Sequence, residues 1–272
     1  MELKFWKMDG AGNDFVVVDN RDLSLSLSQE QIATLCHRRF GIGADGFLAV
    51  EPAENGADYK MRYHNADGGE AEMCGNGARC FGRFVDTLTG GEGQTVRFET
   101  PAGVITADFV EGGLVRIGLT DPFDLHLSET LEVDGSPLEV HSINTGVPHA
   151  CVVVPAVQEA DVLGIGRALR YHKRFQPEGT NANLMEVLAP GSLAIRTYER
   201  GVEDETLACG TGMVANALIH HELTGQASPI SVQVAGGDTL EVGFRKSEEG
   251  FRDLTLTGPA RFVFEGHLSL VS

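Results

Sequence analysis

Two short turns in the sequence carry a cysteine in the same setting. Cys74-Gly75-Asn76-Gly77 and Cys209-Gly210-Thr211-Gly212 each follow a polar stretch and precede a segment with helical periodicity. Glycines leave backbone N–H groups uncovered, and the start of a helix is the positive end of its dipole. Such a turn binds a carboxylate, and it also stabilises a thiolate by lowering the ordinary thiol pKa of about 8.5. The two turns are therefore the first candidates for chemistry.

A pair of such thiols favours one reaction above others. Inverting a stereocentre by 1,1-proton transfer needs a base on one face of a carbon and an acid on the opposite face. Cys74 and Cys209, one as thiolate and one as thiol, meet this demand if two halves of the chain face each other. The alternative is that both are buried apolar residues, as we expect for Cys36, Cys80 and Cys151. Duplication of the whole turn argues against that alternative.

The chain repeats itself at a spacing of 135 residues. Identical residues at this spacing include the pairs His37 and His172, Tyr63 and Tyr198, Cys74 and Cys209, and Leu88 and Leu223. Chance recurrence of Gly-rich turns is the alternative to a duplication. We predict an α+β protein of two pseudo-symmetric domains, each a mixed or antiparallel sheet wrapped around a central helix. The predicted domains are residues 1–121 and 122–262, residues 263–272 return to the first, and the active site lies in the cleft between them.

Local patterns place helices and strands in the same order in both halves. Ser28 and Gln31 form a capping box that opens a helix predicted to end at Phe40. A second helix runs from about Asn76 to Leu88 and is ended by Gly90. Helices near 159–170 and 212–223 are their counterparts. Strands are predicted at 15–19, 47–50, 60–64, 95–99, 103–109 and 114–119.

Other motifs argue against a cofactor or a metal. The glycines of Gly41–Gly46 match G-x-G-x-x-G, but that fingerprint must follow a strand and open a helix, and here the predicted order is reversed. No phosphate-binding G-x-x-x-x-G-K is present, and none of the five lysines lies in the Gly-rich or Ser-rich setting of a pyridoxal-phosphate site. The cysteines form no C-x-x-C pair. We therefore expect neither cofactor nor metal.

Composition limits the partners. The 272 residues are 42% hydrophobic and 22% charged, which is typical of an ordinary globular chain. The formal charge of −18 repels nucleic acid and anionic membranes alike, and an acidic surface of the kind found in salt-tolerant organisms explains it. The first ten residues hold no apolar stretch, and no apolar run approaches the length of a membrane span. These features predict a cytoplasmic protein that binds neither nucleic acid nor a membrane.

Several segments of the sequence carry a resemblance to the diaminopimelate epimerase family. It runs nearly end to end through the segments 8–18 (MDGAGNDFVVV), 38–46 (RRFGIGADG), 65–80 (NADGGEAEMCGNGARC), 144–149 (NTGVPH), 181–183 and 198–212 (YERGVEDETLACGTG). The resemblance implies that family's fold and a homodimer. It also implies cofactor-free interconversion of LL- and meso-2,6-diaminoheptanedioate, in lysine and peptidoglycan precursor biosynthesis.

The resemblance also implies roles for residues of this chain. Cys74 and Cys209 match the two acid/base thiols, and His149 and Glu199 match the pair that flanks the reacting amine and carboxylate. The residues that match substrate contacts are Asn13, Asn65, Asn181 and Arg200, with the backbone N–H groups of Gly75, Asn76, Gly210 and Thr211 at the helix starts. Without the family, these residues could equally be turn residues, a surface ion pair and a loop histidine.

Some positions depart from the family pattern, and two other functions remain open. Val147 and Gly46 stand where some members have Asn and Gln, and the stretch 202–205 is one residue longer than usual. A proline racemase or hydroxyproline epimerase would share the two-thiol logic, but that family has His where this chain has Asn76. A non-catalytic thiol redox protein would exchange no amino-acid Cα proton with solvent.

Overall fold

The chain forms two compact units in the computed structural model, which describes residues 2–93 and 95–270. One unit, here called the N unit, contains Met1–Gly118 and Gly258–Ser272, and the other, the C unit, contains Leu119–Thr257. The domain limits predicted from the sequence lay at residues 121 and 262. Residues 1, 94, 271 and 272, which belong to the predicted domains, lie outside the described residues.

The strands of the N unit are paired side by side, and two helices connect some of them. Its elements are β1 (Glu2–Gly10), β2 (Asn13–Asp19), α1 (Gln29–Cys36), β3 (Gly46–Pro52), β4 (Tyr59–Asn65), α2 (Gly75–Leu88), β5 (Val96–Thr100), β6 (Gly103–Val110) and β7 (Leu114–Gly118). The pairs β1–β2, β3–β4, β5–β6 and β6–β7 are antiparallel. The pairs β2–β3 and β4–β5 are parallel, which the crossovers through α1 and α2 make possible.

Helix α2 is the centre of the N unit. It is buried along almost its whole length and contacts every strand from β1 to β7. Helix α1 packs on the opposite face of the sheet, where Ile32 and Leu35 meet Val16 and Val18. Because β2 is covered on both faces, its sequence is an unbroken apolar run and not an alternating one.

The C unit repeats this order of elements, with an additional strand at its start and another before its second helix. They are β8 (Phe123–Val133), β9 (Ser136–Asn144), β10 (Pro148–Val153), α3 (Val162–Arg170), β11 (Asn181–Ala189), β12 (Ser192–Glu199), β13 (Asp204–Thr206), α4 (Gly210–Thr224), β14 (Ile230–Gln233), β15 (Thr239–Ser247) and β16 (Gly250–Pro259). The pairs β10–β11 and β12–β14 are parallel across α3 and α4. Helix α4 is buried from Gly212 to His220 and contacts β9 to β12, β14 and β15.

The last strand, β17 (Arg261–Ser269), pairs antiparallel with β1 of the N unit. Each unit is therefore a mixed sheet wrapped around one helix, and the order of parallel and antiparallel pairs in the first half recurs in the second. This confirms the predicted α+β fold built from two similar halves. Among the described residues, no helix is both long and apolar enough to cross a membrane.

Two local predictions need correction. The first helix was predicted to reach Phe40, but it ends at Cys36, and His37 caps it in an extended conformation. The chain then turns so tightly that a Cβ at Gly41 would overlap the carbonyl oxygen of Thr34. The hairpin of β8 and β9 was not predicted at all. Most of β8 is exposed or half-buried, so it carries little apolar periodicity.

A charged network in the N unit holds the turn before β3 against the start of β2. Lys7 Nζ lies 2.6 Å from one oxygen of Asp14, and Arg38 Nη2 lies 2.7 Å from the other. Arg38 also pairs with Asp45 at 2.7 Å, and Asp45 accepts a hydrogen bond of 2.8 Å from Asn13 Nδ2. Burial opposes ionisation of Asp14, but the hydrogen bonds from Arg38 and Lys7 outweigh it and lower its pKa from 3.8 to about 2.

This lowered pKa predicts a loss of stability in acid. The carboxylate of Asp14 stabilises the fold fully above its unfolded pKa of 3.8, and the contribution is lost as pH falls towards about 2. We expect the difference in unfolding free energy between wild type and Asp14→Asn to be largest above pH 4 and to shrink towards pH 2. Urea unfolding followed by circular dichroism across this range measures it.

The control for this experiment is Asp253→Asn. Asp253 forms an exposed ion pair with Arg245 and has a φ of 55°, which Asn tolerates. An exposed pair contributes about 0–1 kcal/mol, so this variant should follow the wild type throughout. A difference between Asp14→Asn and wild type that does not change from pH 6 to pH 2 would contradict the assignment.

Candidate active site

Cys74 is the N-cap of α2. Its backbone is extended, and its Sγ accepts a hydrogen bond of 3.4 Å from the N–H of Gly77. Gly75 and Asn76, the first two helical residues, are buried together with Gly77. This geometry places a thiol sulfur within the positive field of a buried helix start, which favours the thiolate form.

A chain of amide contacts surrounds this sulfur. Asn13 Oδ1 lies 3.5 Å from Cys74 Sγ and 3.3 Å from Asn76 Nδ2. Asn76 Oδ1 in turn accepts a hydrogen bond of 2.9 Å from the fully buried guanidinium of Arg79. Asn13, Cys74 and Asn76 are therefore brought together in the N unit. Arg79 was not predicted, although its place inside an apolar helical segment signals a buried, hydrogen-bonded role.

Asn65 stands apart from this group in its contacts. It is the exposed last residue of β4, directly opposite Gly46 in the strand pairing. Its Oδ1 accepts a hydrogen bond of 2.8 Å from the hydroxyl of Tyr63. A Cβ at Gly46 would lie 2.7 Å from the Tyr63 ring, so the small residue at 46 lets that ring reach Asn65.

In the C unit, Cys209 is the N-cap of α4. Its Sγ lies 3.6 Å from the hydroxyl of Thr211, and the side chain is only 7% exposed. The carbonyl of Thr211 accepts a hydrogen bond of 2.9 Å from the hydroxyl of Thr145. The turn that starts α4 is thus tied to the segment that follows β9.

Three further predicted residues of the C unit meet where β10 and β11 begin. His149 and Asn181 are opposite each other in the parallel pair. Asn181 Oδ1 accepts a hydrogen bond of 2.8 Å from the backbone N–H of Arg200, and Arg200 Nη1 donates to the carbonyl of Glu178 at 3.2 Å. His149 is 1% exposed, and burial, helped by the charge of Arg200, lowers its pKa from 6.5 to about 3.

Glu199 closes β12 and is held by the strand beside it. One of its oxygens accepts a hydrogen bond of 2.8 Å from the hydroxyl of Thr206. The turn between β12 and β13 is anchored by Glu203, whose backbone N–H bonds to the carbonyl of Glu199 at 2.8 Å. Glu203 also pairs with Arg170 at 2.9 Å. Glu203 therefore fixes this turn through both its backbone N–H and its side chain.

The other cysteines lie in apolar surroundings. Burial raises the pKa of Cys36 to about 11, and it raises the pKa of Cys80 and Cys151 as well. These three thiols stay protonated near neutral pH. The described part of the chain holds no group of three or more His, Cys, Asp or Glu side chains arranged to bind a metal.

The two glycines at the third helical position differ in the room around them. A Cβ at Gly212 would lie 2.6 Å from Asn183 Oδ1 and 3.3 Å from Cys209 Sγ. A Cβ at Gly77 would meet Phe15 at 3.4 Å and Cys74 Cβ at 3.5 Å, which are ordinary contacts. Because Asn183 is fully buried and hydrogen-bonded, it cannot move aside without cost.

These distances predict unequal costs for one substitution. Gly212→Ala should lower the unfolding free energy by about 1–3 kcal/mol, the usual cost of overpacking. Gly77→Ala should change it by less than about 1 kcal/mol, since helix propensity favours Ala over Gly by a similar amount. Urea unfolding of both variants beside wild type measures the difference. Equal losses would show that the contact with Asn183 does not matter.

Known proteins resemble this chain in both sequence and fold. A family described as diaminopimelate epimerase matches residues 5–121 and 141–263. The diaminopimelate epimerase of Aquifex aeolicus is 43% identical over 279 residues, which cover 98% of each chain. That of Chlorobaculum tepidum is 42% identical over 265 residues, covering 97% of this chain and 100% of the relative.

Solved structures show the same fold at much lower identity. A phenazine biosynthesis protein of the PhzF family from Bacillus anthracis has a TM-score of 0.75 at 16% identity, covering 99% of this chain and 100% of that one. A hydroxyproline epimerase from Agrobacterium vitis has a TM-score of 0.71 at 17% identity, covering 98% and 91%. Such structures share the fold alone, whereas the identity to the named epimerases extends over nearly the whole sequence. The chain belongs to the diaminopimelate epimerase family.

Proposed function

We propose that this protein is a cofactor-independent epimerase that interconverts LL- and meso-2,6-diaminoheptanedioate, with Cys74 and Cys209 as its acid/base pair. The observation that carries the proposal is the repeated helix start. In each unit the central helix begins directly after a cysteine at a Gly-rich turn. Membership of a family named for this reaction supports the substrate.

Proton transfer between the two sulfurs follows from the negative groups that a helix start stabilises, a thiolate and a carboxylate. One sulfur, as thiolate, removes the proton from Cα, and the other, as thiol, returns a proton to the opposite face. The products are the inverted centre and a pair of sulfurs with exchanged protonation states, and exchange of protons with solvent restores the starting state before the next turnover in the same direction. The backbone N–H groups of Gly75, Asn76, Gly210 and Thr211 stabilise the carboxylate while negative charge develops beside it.

The remaining predicted residues recognise the rest of the substrate. His149 and Glu199 flank the reacting amine and carboxylate, and Asn13, Asn65, Asn181 and Arg200 bind the substrate's polar groups. A planar guanidinium can hold the distant carboxylate through two parallel hydrogen bonds. We further propose that the enzyme works in the cytoplasm as a homodimer, in lysine and peptidoglycan precursor biosynthesis.

Two other functions are less well supported. A proline racemase or hydroxyproline epimerase would use the same fold and two thiols, but Asn76 stands where that family has His, and Arg200 suits a second carboxylate that proline lacks. A non-catalytic thiol redox protein would not need a carboxylate-binding turn beside each cysteine.

The first test is conversion of substrate in D₂O. We expect LL-diaminopimelate to become the meso isomer with deuterium at one Cα, because the proton that is returned comes from a thiol in exchange with solvent. Proton NMR follows both the loss of the Cα signal and the appearance of product. L-Proline in a parallel sample should remain unlabelled. Labelled proline would favour the racemase, and no label in either compound would favour the redox protein.

The second test addresses recognition through Arg200→Lys. Lysine keeps the charge but loses the two-pronged geometry, and a hydrogen bond to a charged group is worth about 1.5–3 kcal/mol. This loss corresponds to a fall in kcat/KM of about tenfold to a hundredfold. Steady-state kinetics with LL-diaminopimelate measures it.

The matched control is Arg252→Lys in the same unit. Arg252 is half-buried and pairs with Asp121 at 3.0 Å, and no substrate contact is assigned to it, so its replacement should leave kcat/KM unchanged. If Arg200→Lys also behaves like wild type, Arg200 does not hold a substrate carboxylate.

A further inference from the structure

Asn183 lies beneath the predicted site residues of the C unit, and no role was predicted for it. It is on β11, two residues after Asn181, and both side chains point to the same face of the sheet. Its side chain is 0% exposed. A fully buried amide is stable only when its donors and acceptor are hydrogen-bonded, so its contacts determine how the amide is oriented.

The contacts of Asn183 fix the orientation of its amide. Nδ2 lies 3.0 Å from the carbonyl oxygen of Ala150, which can only accept. Oδ1 accepts a hydrogen bond of 2.9 Å from the hydroxyl of Thr197. Rotating the amide by half a turn would place two carbonyl oxygens against each other, so the nitrogen must face Ala150.

This orientation determines where His149 carries its proton. Asn183 Nδ2 also lies 3.2 Å from His149 Nδ1, and an amide nitrogen can only donate. The third acceptor near Nδ2, Cys151 Sγ, is farther away at 3.7 Å, so the second hydrogen is donated to His149 Nδ1. His149 Nδ1 then accepts, which leaves the ring proton on Nε2. That Nε2 atom is buried and has no hydrogen-bond partner within the described residues.

Burial and the nearby charge of Arg200 lower the pKa of His149 to about 3, so the ring is neutral near pH 7. A neutral ring with its proton on Nε2 is a hydrogen-bond donor at that atom. A buried donor that lacks a partner costs about 1–3 kcal/mol, and a bound ligand can remove this cost. A donor bonds to a carboxylate oxygen and not to an ammonium group.

We propose that Asn183 is a positioning residue that holds His149 as its neutral Nε2–H tautomer, so that Nε2–H donates a hydrogen bond to the substrate carboxylate. The proposal rests on the proposed function. It gives different roles to His149 and Glu199, the two residues proposed to flank the reacting amine and carboxylate. His149 binds the carboxylate, and the carboxylate of Glu199 is left to accept from the ammonium group. His149 is then not the base that removes the Cα proton.

Asn183 also touches the start of α4. The closest approach is at Gly212, where even a methyl group would lie 2.6 Å from Asn183 Oδ1. The same side chain therefore sets the position of His149 and limits that of the turn which carries Cys209. A shift of Asn183 should move the two groups relative to each other.

The direct test is nitrogen NMR of the free enzyme with ¹⁵N-labelled histidine. Couplings between ring protons and nitrogens distinguish the two neutral tautomers and the charged ring, and His149→Gln assigns the signals. We expect wild-type His149 to be the Nε2–H tautomer from pH 6 to pH 8. A proton on Nδ1, or a charged ring, would overturn the proposal whether or not the enzyme epimerises diaminopimelate. Failure of the D₂O conversion alone would count against the proposed function and not against the tautomer.

The second test uses variants of near-equal size. Asn183→Leu removes the donor to Nδ1, so the His149 signals should show a mixture of both tautomers, and kcat/KM should fall by about tenfold to a hundredfold. Thr197→Val keeps the amide and should retain the Nε2–H tautomer with a smaller loss. Asn20→Leu is the control, because Asn20 is also buried and hydrogen-bonded but lies in the N unit, bonded to Glu51.

Asn20→Leu should lower stability while it leaves the His149 signals and kcat/KM unchanged. If Asn183→Leu keeps the single wild-type tautomer and wild-type kcat/KM, Asn183 does not position His149. If Asn20→Leu alters the His149 signals as Asn183→Leu does, the effect is one of general stability and the proposal is wrong.

Discussion

The fold depends on helices whose starting ends are buried. A helix leaves its first N–H groups without intrahelical acceptors, and away from water these groups need another partner. In α2 the first three residues, Gly75, Asn76 and Gly77, are buried inside the unit. Such an end is a binding site for negative charge. Because the unpaired N–H groups attract negative charge, a cysteine directly before such a helix can be held as a thiolate, the form that can act as a base.

The polar residues around each helix start serve this requirement in different ways. In the N unit, Arg79 and Asn76 lead to Asn13 and so to Cys74, and the ion pairs of Asp14 and Asp45 hold Asn13 from the other side. In the C unit, Asn183 is bonded to Thr197 and His149, and the charge of Arg200 acts on His149. The turn of Cys74 is therefore linked to amides and ion pairs, whereas Asn183 links the turn of Cys209 to an imidazole.

Much of this was predictable from the sequence. The two cysteine turns, the helices that follow them and the duplication were visible because turn glycines and helical periodicity are local signals. The predicted end of α1 was wrong because the helix ends at Cys36 and His37 caps it. The turn that follows depends on the tight packing at Gly41, which no local sequence pattern indicates. No role was predicted for Asn183, since its importance lies in contacts with Ala150, Thr197 and His149, which are 14 to 34 residues away from it in the chain.

The central claim is that two thiols, one from each half of the repeat, transfer the proton. The most direct measurement is Cα exchange in D₂O by Cys74→Ala and Cys209→Ala, each started separately from LL- and from meso-diaminopimelate. Each variant keeps one base, so neither should convert one isomer into the other. Each should incorporate deuterium into only one of the two isomers, and the two variants should label opposite ones. Conversion of LL to meso by either variant at the wild-type rate, or labelling of the same isomer by both, would contradict the two-thiol mechanism.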